Sequence, residues 1–237
     1  MHLRITLALA ALAFSSAAFA QEFIDSAHPD AFQVRYVSNL NLGDSYINIT
    51  NTGTDATGTG KGSVTTGGNI CVNVYAFDPA EELIACCSCT VTPNGLAKLS
   101  VTNDLISNTL TPATPTSVVV KLLATGVAGD APKSGAGSRA NAGMCDPGLL
   151  YDSTDLKSGM RAWGTSLHKN NAGNPPGSAA QAAIQITEGA FVFGGLSGDE
   201  LGHISTFCGF IEANATAPAN SGICNSCKTG GLFGAKQ

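Results

Sequence analysis

The chain has 237 residues, with 12 lysines and arginines against 17 aspartates and glutamates and a formal net charge of −5 at pH 7. This mildly acidic balance, without a basic cluster, argues against nucleic acid and anionic lipid as partners. Charged residues make up 12% of the chain and glycine occupies 28 positions. We therefore expect a surface rich in serine, threonine, asparagine and glycine, as in secreted β proteins that contact other polymers or other copies of themselves.

The first twenty residues have the layout of a cleavable secretory signal. Arg4 contributes to a basic start, an apolar run covers residues 5–14, and Ala18 and Ala20 stand where a signal peptidase requires small residues. We predict a signal peptide at residues 1–20 and a single secreted β domain at residues 21–237, in a periplasm or outside the cell. No later stretch of the sequence is long and apolar enough to span a bilayer as a helix.

Short runs of alternating or β-branched apolar residues, separated by turns rich in proline, glycine and asparagine, predict a mainly β chain. In chain order, the predicted strands cover residues 31–37, 46–49, 71–77, 83–87, 96–101, 117–123, 160–168, 183–187 and 191–193. The run SVVVKLL at 117–123 is typical of a strand buried on both faces. The number and spacing of these strands favour a disulfide-stapled antiparallel β-sandwich or jelly roll.

Two long segments without periodicity interrupt the strands. Residues 54–68 are rich in glycine and threonine and predict a surface loop. Residues 125–148 are rich in glycine, alanine and proline and contain Cys145, which we expect a disulfide to hold in place.

One C-terminal amphipathic helix is predicted from Ser197 to about Ala213. Ser197 and Glu200 form a capping box at its start. Apolar residues then recur at spacings of three and four, at Leu201, Ile204, Cys208 and Ile211. Cys208 is therefore predicted to face the core.

Eight cysteines follow the predicted signal peptide, at Cys71, Cys86, Cys87, Cys89, Cys145, Cys208, Cys224 and Cys227. An even number in an exported chain predicts disulfides. Within a strand, alternate residues point to opposite faces, so Cys86 and Cys87 should have different partners, whereas Cys87 and Cys89 share a face.

The sequence does not determine the pairing, because eight cysteines allow about 105 connectivities. We expect Cys71 to bond across its hairpin with Cys86 or Cys87, and Cys145 to bond with Cys208. Cys89, placed just past the predicted strand, has two alternatives, namely its own hairpin or the C-terminal pair Cys224 and Cys227.

Two other uses of the cysteines stand as alternatives. The CCSC motif at 86–89 and the CNSC motif at 224–227 could offer four thiolates to zinc or copper(I). Cys224 and Cys227 could also form a redox dithiol, but that chemistry needs a helix N-terminus, and three glycines follow within ten residues. An oxidising compartment favours disulfides. We predict no metal site and no cofactor.

Residues 43–53, GDSYINITNTG, resemble the strand and turns of immunoglobulin-like repeats in bacterial surface proteins. In those repeats a Gly-Asp turn precedes alternating apolar residues, and an Asn-x-Gly turn follows them. The resemblance implies a β-sandwich and covers eleven residues.

Part of the same stretch, Gly43-Asp44-Ser45, resembles the nucleophile block of GDSL-type esterases. Asn103-Asp104 is similar to their Asn-Asp block, and Asp199 with His203 is similar to their late Asp/His pair. The resemblance implies Ser45 as nucleophile. However, the spacing from Asp199 to His203 is one residue longer than in the family, and alternating helices are not predicted. A simple turn at Gly43-Asp44-Ser45 is the competing interpretation.

The remaining candidates for chemistry are isolated. His28, His168 and His203 are predicted to be surface or interface residues. The acidic pairs Glu81/Glu82 and Asp152/Asp155 lack the spacing of a calcium-binding loop and are predicted to be solvated turn residues.

The hypothesis that the sequence favours is a secreted, non-enzymatic structural or adhesive protein of a bacterial cell envelope or extracellular matrix, with self-association as an added expectation. Its partners would be other copies of the chain or extracellular polymers. One alternative is a glycan or small-molecule binding module that uses the long loop within residues 125–144. The other alternative is an esterase that uses Ser45.

Overall fold

A computed structural model of the protein describes residues 28–54, 68–107, 113–127, 145–151, 154–170, 183–214 and 222–228. The predicted signal peptide, most of the two glycine-rich segments and Asp152 lie outside these residues. The described residues form two antiparallel sheets and one main helix. None of the helices among them is long and apolar enough to cross a membrane.

The strands follow the apolar runs of the sequence. In chain order they are β1 (Phe32–Val37), β2 (Tyr46–Asn51), β3 (Ile70–Phe77), β4 (Leu83–Val91), β5 (Leu96–Ser100), β6 (Val118–Thr125), β7 (Met160–Asn170), β8 (Ala183–Ala190) and β9 (Val192–Phe193). The helices are α1 (Gly198–Asn214) and the short α2 (Asn225–Lys228). The predicted mainly β fold and its C-terminal helix are confirmed.

One sheet has five strands in the spatial order β4-β3-β6-β1-β9, and the other has four strands in the order β5-β2-β7-β8. The two sheets pack in the manner of a sandwich and are joined by buried side chains. Gln33 on β1 donates to the carbonyl of Met160 on β7 at 2.9 Å. Asn51 on β2 donates to the carbonyl of Val91 on β4 at 3.0 Å. Such bonds satisfy buried polar groups between the layers.

A charged side chain also reaches between the sheets. Arg35 on β1 donates to the carbonyl of Gly189 at 2.7 Å and to Oγ of Ser166 at 3.0 Å. Gly164 and Gly189 are directly opposite each other on β7 and β8. A Cβ atom at either glycine would approach the Arg35 side chain to about 3 Å, so the pair makes room for the guanidinium. Burial lowers the pKa of Arg35, and nearby Glu188 raises it in part.

The other face of the five-stranded sheet is covered by α1 and by residues 145–151. Tyr75 on β3 is buried and donates its hydroxyl to the carbonyl of Pro147 at 3.0 Å. Tyr151 donates to the carbonyl of Asp146 at 2.6 Å. Burial raises the pKa of both tyrosines. The neutral phenol of Tyr75 therefore holds this segment on the sheet, and the phenol of Tyr151 makes a hydrogen bond within the segment.

The helix α1 matches its prediction closely. Oγ of Ser197 accepts the backbone N–H of Glu200 at 3.2 Å, which is one half of the predicted capping box. The four residues of the predicted apolar stripe are buried, and Cys208 is completely inaccessible. The stripe therefore packs on the sheet as expected.

Three local predictions need correction. β4 continues to Val91, so Cys89 lies inside the strand rather than past it. β5 ends at Ser100, because Oγ of Ser100 accepts the N–H of Asn103 and residues 101–106 form a π-helical turn. β6 is buried on both faces from Leu122 onward, but Val119 and Lys121 are only partly covered.

Candidate functional site

The eight cysteines form four disulfides: Cys71–Cys145, Cys86–Cys208, Cys87–Cys224 and Cys89–Cys227. The disulfide prediction is confirmed, and so is the expectation that Cys145 is held by one. Since the bonds use all eight thiols, neither a tetrathiolate metal site nor a reduced CxxC centre is present. Four disulfides also indicate an oxidising, non-cytoplasmic environment.

The predicted pairing of Cys71 with Cys86 or Cys87 is wrong, and so is that of Cys145 with Cys208. In the β3–β4 hairpin, Cys71 lies opposite Thr90, whereas Cys86 lies opposite Tyr75. The two cysteines are therefore separated by four positions along the strands, about 13 Å, which is too far for a disulfide.

The prediction from strand alternation is confirmed. Cys86 points toward α1, where it meets Cys208, whereas Cys87 and Cys89 share the opposite face and bond to Cys224 and Cys227. The carboxylate of Glu212 lies within 4.8 Å of the sulfurs of Cys86 and Cys208. Those sulfurs are bonded to each other and are not thiolate ligands.

Asp44, Ser45 and Asp104, which resemble residues of esterase motifs, are buried or take part in hydrogen bonds between elements of the fold. Asp44 accepts hydrogen bonds from Oγ of Ser100 and from N–H of Thr102. The side chain of Ser45 is fully buried at the start of β2. Asp104 accepts hydrogen bonds from Ser226 at 2.6 and 2.8 Å, which attach α2 to the π-helical turn.

The partners that the resemblance implies for Ser45 lie on another element. Asp199 and His203 belong to α1, which packs on the five-stranded sheet, whereas Ser45 precedes a strand of the four-stranded sheet. No described contact joins Ser45 to either residue. Oγ of Ser45 has no hydrogen-bond partner in the described part of the chain.

The histidines are also separate from one another. Nε2 of His168 lies 2.9 Å from Oγ1 of Thr187 on the exposed surface between β7 and β8. His203 lines a groove beside α1. His28 is half-buried ahead of β1. The arrangement does not bring them together as ligands or as a catalytic set among the described residues.

A groove beside α1 has a volume of about 700 Å³. It lies between α1 and the tip of the β3–β4 hairpin. Its apolar floor and walls include Phe77, Leu83, Ile204, Phe207, Phe210 and Ile211. Two of these rings are strongly exposed, Phe207 at 58% and Phe210 at 61%. We call this feature the acidic groove, because four carboxylates line its rim.

The rim carboxylates are those of Asp78, Glu81, Glu82 and Glu200. Glu200 forms an ion pair with Lys121 at 2.6 Å. The ammonium group of Lys121 also lies 4.4 Å from the centre of the Phe77 ring, a cation–π contact. The groove thus combines aromatic surface with negative charge.

The second unusual surface is β8, at the edge of the four-stranded sheet. Apart from Gly189, every residue from Ile184 to Ala190 is exposed, including Ile184 at 50% and Ile186 at 67%. β8 bonds to β7 on one side, and no other described segment pairs with its outer side. Since Arg35 contacts Gly189, strand alternation turns Ile184 and Ile186 away from the five-stranded sheet.

Sequence reasoning missed both surfaces. Glu81 and Glu82 are indeed exposed turn residues, but the proximity of α1 makes them part of a groove wall. A signal was present in the helix, since Phe207 and Phe210 lie outside the apolar stripe that packs on the sheet. For β8, the sequence predicts a strand at residues 183–187, and no local signal distinguishes it from the other strands.

Comparison of the chain with protein-family models, with curated proteins and with solved structures finds no match. The features of the chain that bear on its function are therefore its fold and these two surfaces.

Proposed function

We propose that this chain is a secreted, non-enzymatic structural or adhesive subunit of a bacterial cell envelope or extracellular matrix, and that it self-associates through β8. The observation that carries the proposal is the open edge of β8 with its two exposed isoleucines. The disulfides support the extracytoplasmic part of the proposal, because they require an oxidising compartment.

An edge strand is a template for a further strand, since its outward N–H and C=O groups are unpaired. Soluble proteins commonly block such edges with charged residues, proline or a bulge. β8 has the sequence AIQITEGA, which contains no proline and one charge. That charge, on Glu188, accepts a hydrogen bond from Asn48 at 3.2 Å. The usual obstacles to strand addition are therefore absent from β8.

The partner that we propose for this edge is a second copy of the chain. Two β8 strands that meet antiparallel around a twofold axis at Gln185 would place Ile184 of each copy opposite Ile186 of the other. This register joins the exposed isoleucines in cross-strand pairs and gives a closed, symmetric dimer.

Size-exclusion chromatography with light scattering, over a range of protein concentrations, tests the proposal. The wild-type protein should form dimers as its concentration rises, and Ile186→Lys should remain monomeric. Leu150→Lys is the matched control, because Leu150 is 61% exposed but lies outside both sheets, and it should dimerise like the wild type. A wild-type monomer at millimolar concentration would contradict the proposal.

A further inference from the structure

The acidic groove points to a second interaction, with a partner different from the one that β8 receives. Its apolar wall is built on α1, where Phe207 and Phe210 occupy adjacent turns and leave most of their rings in solvent. Neighbouring exposed aromatic rings beside a concave surface are typical of a contact site.

The charge of the groove defines which partner it suits. Of its four carboxylates, Glu200 is paired with Lys121, and Oδ1 of Asp78 accepts the N–H groups of Ala80 and Glu82 at 2.9 and 3.0 Å. Glu81 and Glu82 are exposed and have no cationic partner in the described part of the chain. Two carboxylates are thus available to a cation beside an apolar wall.

The backbone at Glu81 is unusual for a residue with a side chain. Glu81 has φ of +67°, in the left-handed region that favours glycine and asparagine. A glycine would close this hairpin with less strain, but it would remove a carboxylate from the rim. Strained residues of this kind are concentrated at sites of function.

The groove already shows how it accommodates an ammonium group. Lys121 approaches the Phe77 ring from above and reaches a carboxylate at the same time. A lysine or arginine from outside could repeat this arrangement with Glu81 or Glu82 and the free rings of Phe207 and Phe210.

The length of the groove favours a peptide over a small amine. Its lining on α1 runs from Glu200 to Ile211, a distance of about 16 Å at 1.5 Å per residue. An extended peptide of roughly five residues covers the same distance.

We propose that the acidic groove binds an extended segment of a partner protein in which lysine or arginine alternates with apolar residues. The cations contact Glu81 and Glu82, and the apolar side chains pack against Phe207 and Phe210. The groove shares no residue with β8, so it can hold the partner segment while two copies are paired through β8.

Fluorescence anisotropy with a labelled peptide of sequence Lys-Leu-Lys-Phe-Lys, in which lysine alternates with apolar residues, tests the proposal. The full-length protein should bind it, and should bind a peptide with glutamate in place of lysine at least tenfold more weakly. Glu81→Gln with Glu82→Gln should weaken binding about tenfold. Asp199→Asn, a carboxylate on α1 outside the groove lining, should leave the affinity unchanged and is the matched control.

Two further variants separate binding from folding. Glu81→Gly relieves the left-handed backbone, so its thermal midpoint should equal or exceed that of the wild type while its affinity for the peptide falls. Phe207→Ser removes an exposed ring and should weaken binding with little change in the midpoint. Equal binding of the acidic and basic peptides, or an unchanged affinity in these variants, would overturn the proposal.

A comparison of the pentapeptide with lysine amide distinguishes a peptide site from a site for small amines. If lysine amide alone binds as tightly as the pentapeptide, the groove is a small-amine site and the peptide proposal fails. Ile186→Lys should bind the peptide like the wild type, so failure of self-association and failure of the groove are distinguishable.

Discussion

β4 and β8 are both edge strands, one in each sheet, but the molecule treats them differently. Three of the four disulfides start on β4. The backbone of Ser88 exchanges hydrogen bonds with Gly222 and Cys224, at 2.7 and 3.1 Å, so another segment covers part of its outer side. A register shift also leaves Ile84 without a partner on β3, and such bulges discourage strand addition.

β8 has none of these features. No cysteine lies in the four-stranded sheet, and no described segment bonds to the outer side of β8. In the described part of the chain, Arg35 connects the C-terminal end of β8 to the other sheet, by donating to the carbonyls of Gly189 and Ala190. Among the described residues, disulfides and a bonded segment close the edge at β4, whereas the edge at β8 has neither.

The largest expected difference is in the free energy of unfolding, when isoleucine is replaced by alanine in each of the two strands. Ile84 on β4 is 1% exposed and Ile186 on β8 is 67% exposed. Ile84→Ala should lower the free energy of unfolding by about 2–5 kcal/mol, because it opens a cavity in the core. Ile186→Ala should change it by less than about 0.5 kcal/mol. Denaturant unfolding of dilute protein measures both, and equal losses would show that β8 is covered in the monomer.

Removal of the Cys87–Cys224 disulfide should open the β4 edge. Cys87→Ala with Cys224→Ala is expected to cost about 2–4 kcal/mol. It should also increase hydrogen exchange at the amide of Ser88, which donates to Gly222. Cys71→Ala with Cys145→Ala is the control, because it removes a disulfide that does not involve β4. That variant should lose a similar free energy of unfolding. Exchange at the Ser88 amide should nevertheless still require unfolding of the whole protein.

Alkaline pH should weaken the covered side of the five-stranded sheet. Burial raises the pKa of Tyr75 and Tyr151 above the ordinary value, so above about pH 10 the unfolded chain releases protons that the native chain retains. The free energy of unfolding should then fall by about 1.4 kcal/mol per pH unit for each tyrosine. Tyr151→Phe should halve the slope, measured by urea unfolding between pH 9 and 11. A flat profile would show that these hydroxyls are solvated.

The fold was largely predictable because its signals are local. The capping residues and apolar spacing of Ser197 to Ile211 determine where α1 begins and which side packs. The β-branched runs locate the strands, and alternation along β4 correctly separates the partners of Cys86 and Cys87.

The pairing and the two surfaces depend on relations between distant segments. Whether Cys71 faces Thr90 or Cys86 is decided by the turn at Asp78–Glu82 and the bulge at Ile84, which shift the register of the hairpin. Phe207 and Glu81 form one groove only because α1 returns across the hairpin tip. Local apolar spacing in the sequence indicates neither the register of the hairpin nor the approach of α1 to its tip.

The connectivity of the disulfides also governs how the protein must mature. The first four cysteines bond, in order, to the last four. During synthesis, therefore, Cys71, Cys86, Cys87 and Cys89 all emerge before any native partner exists. An oxidase that joins thiols as they appear would link neighbours such as Cys86 and Cys89 incorrectly. The native bond Cys89–Cys227 cannot form until residue 227 has been made, and any earlier bond among the first four cysteines must be broken by thiol–disulfide exchange before the native pairs can form.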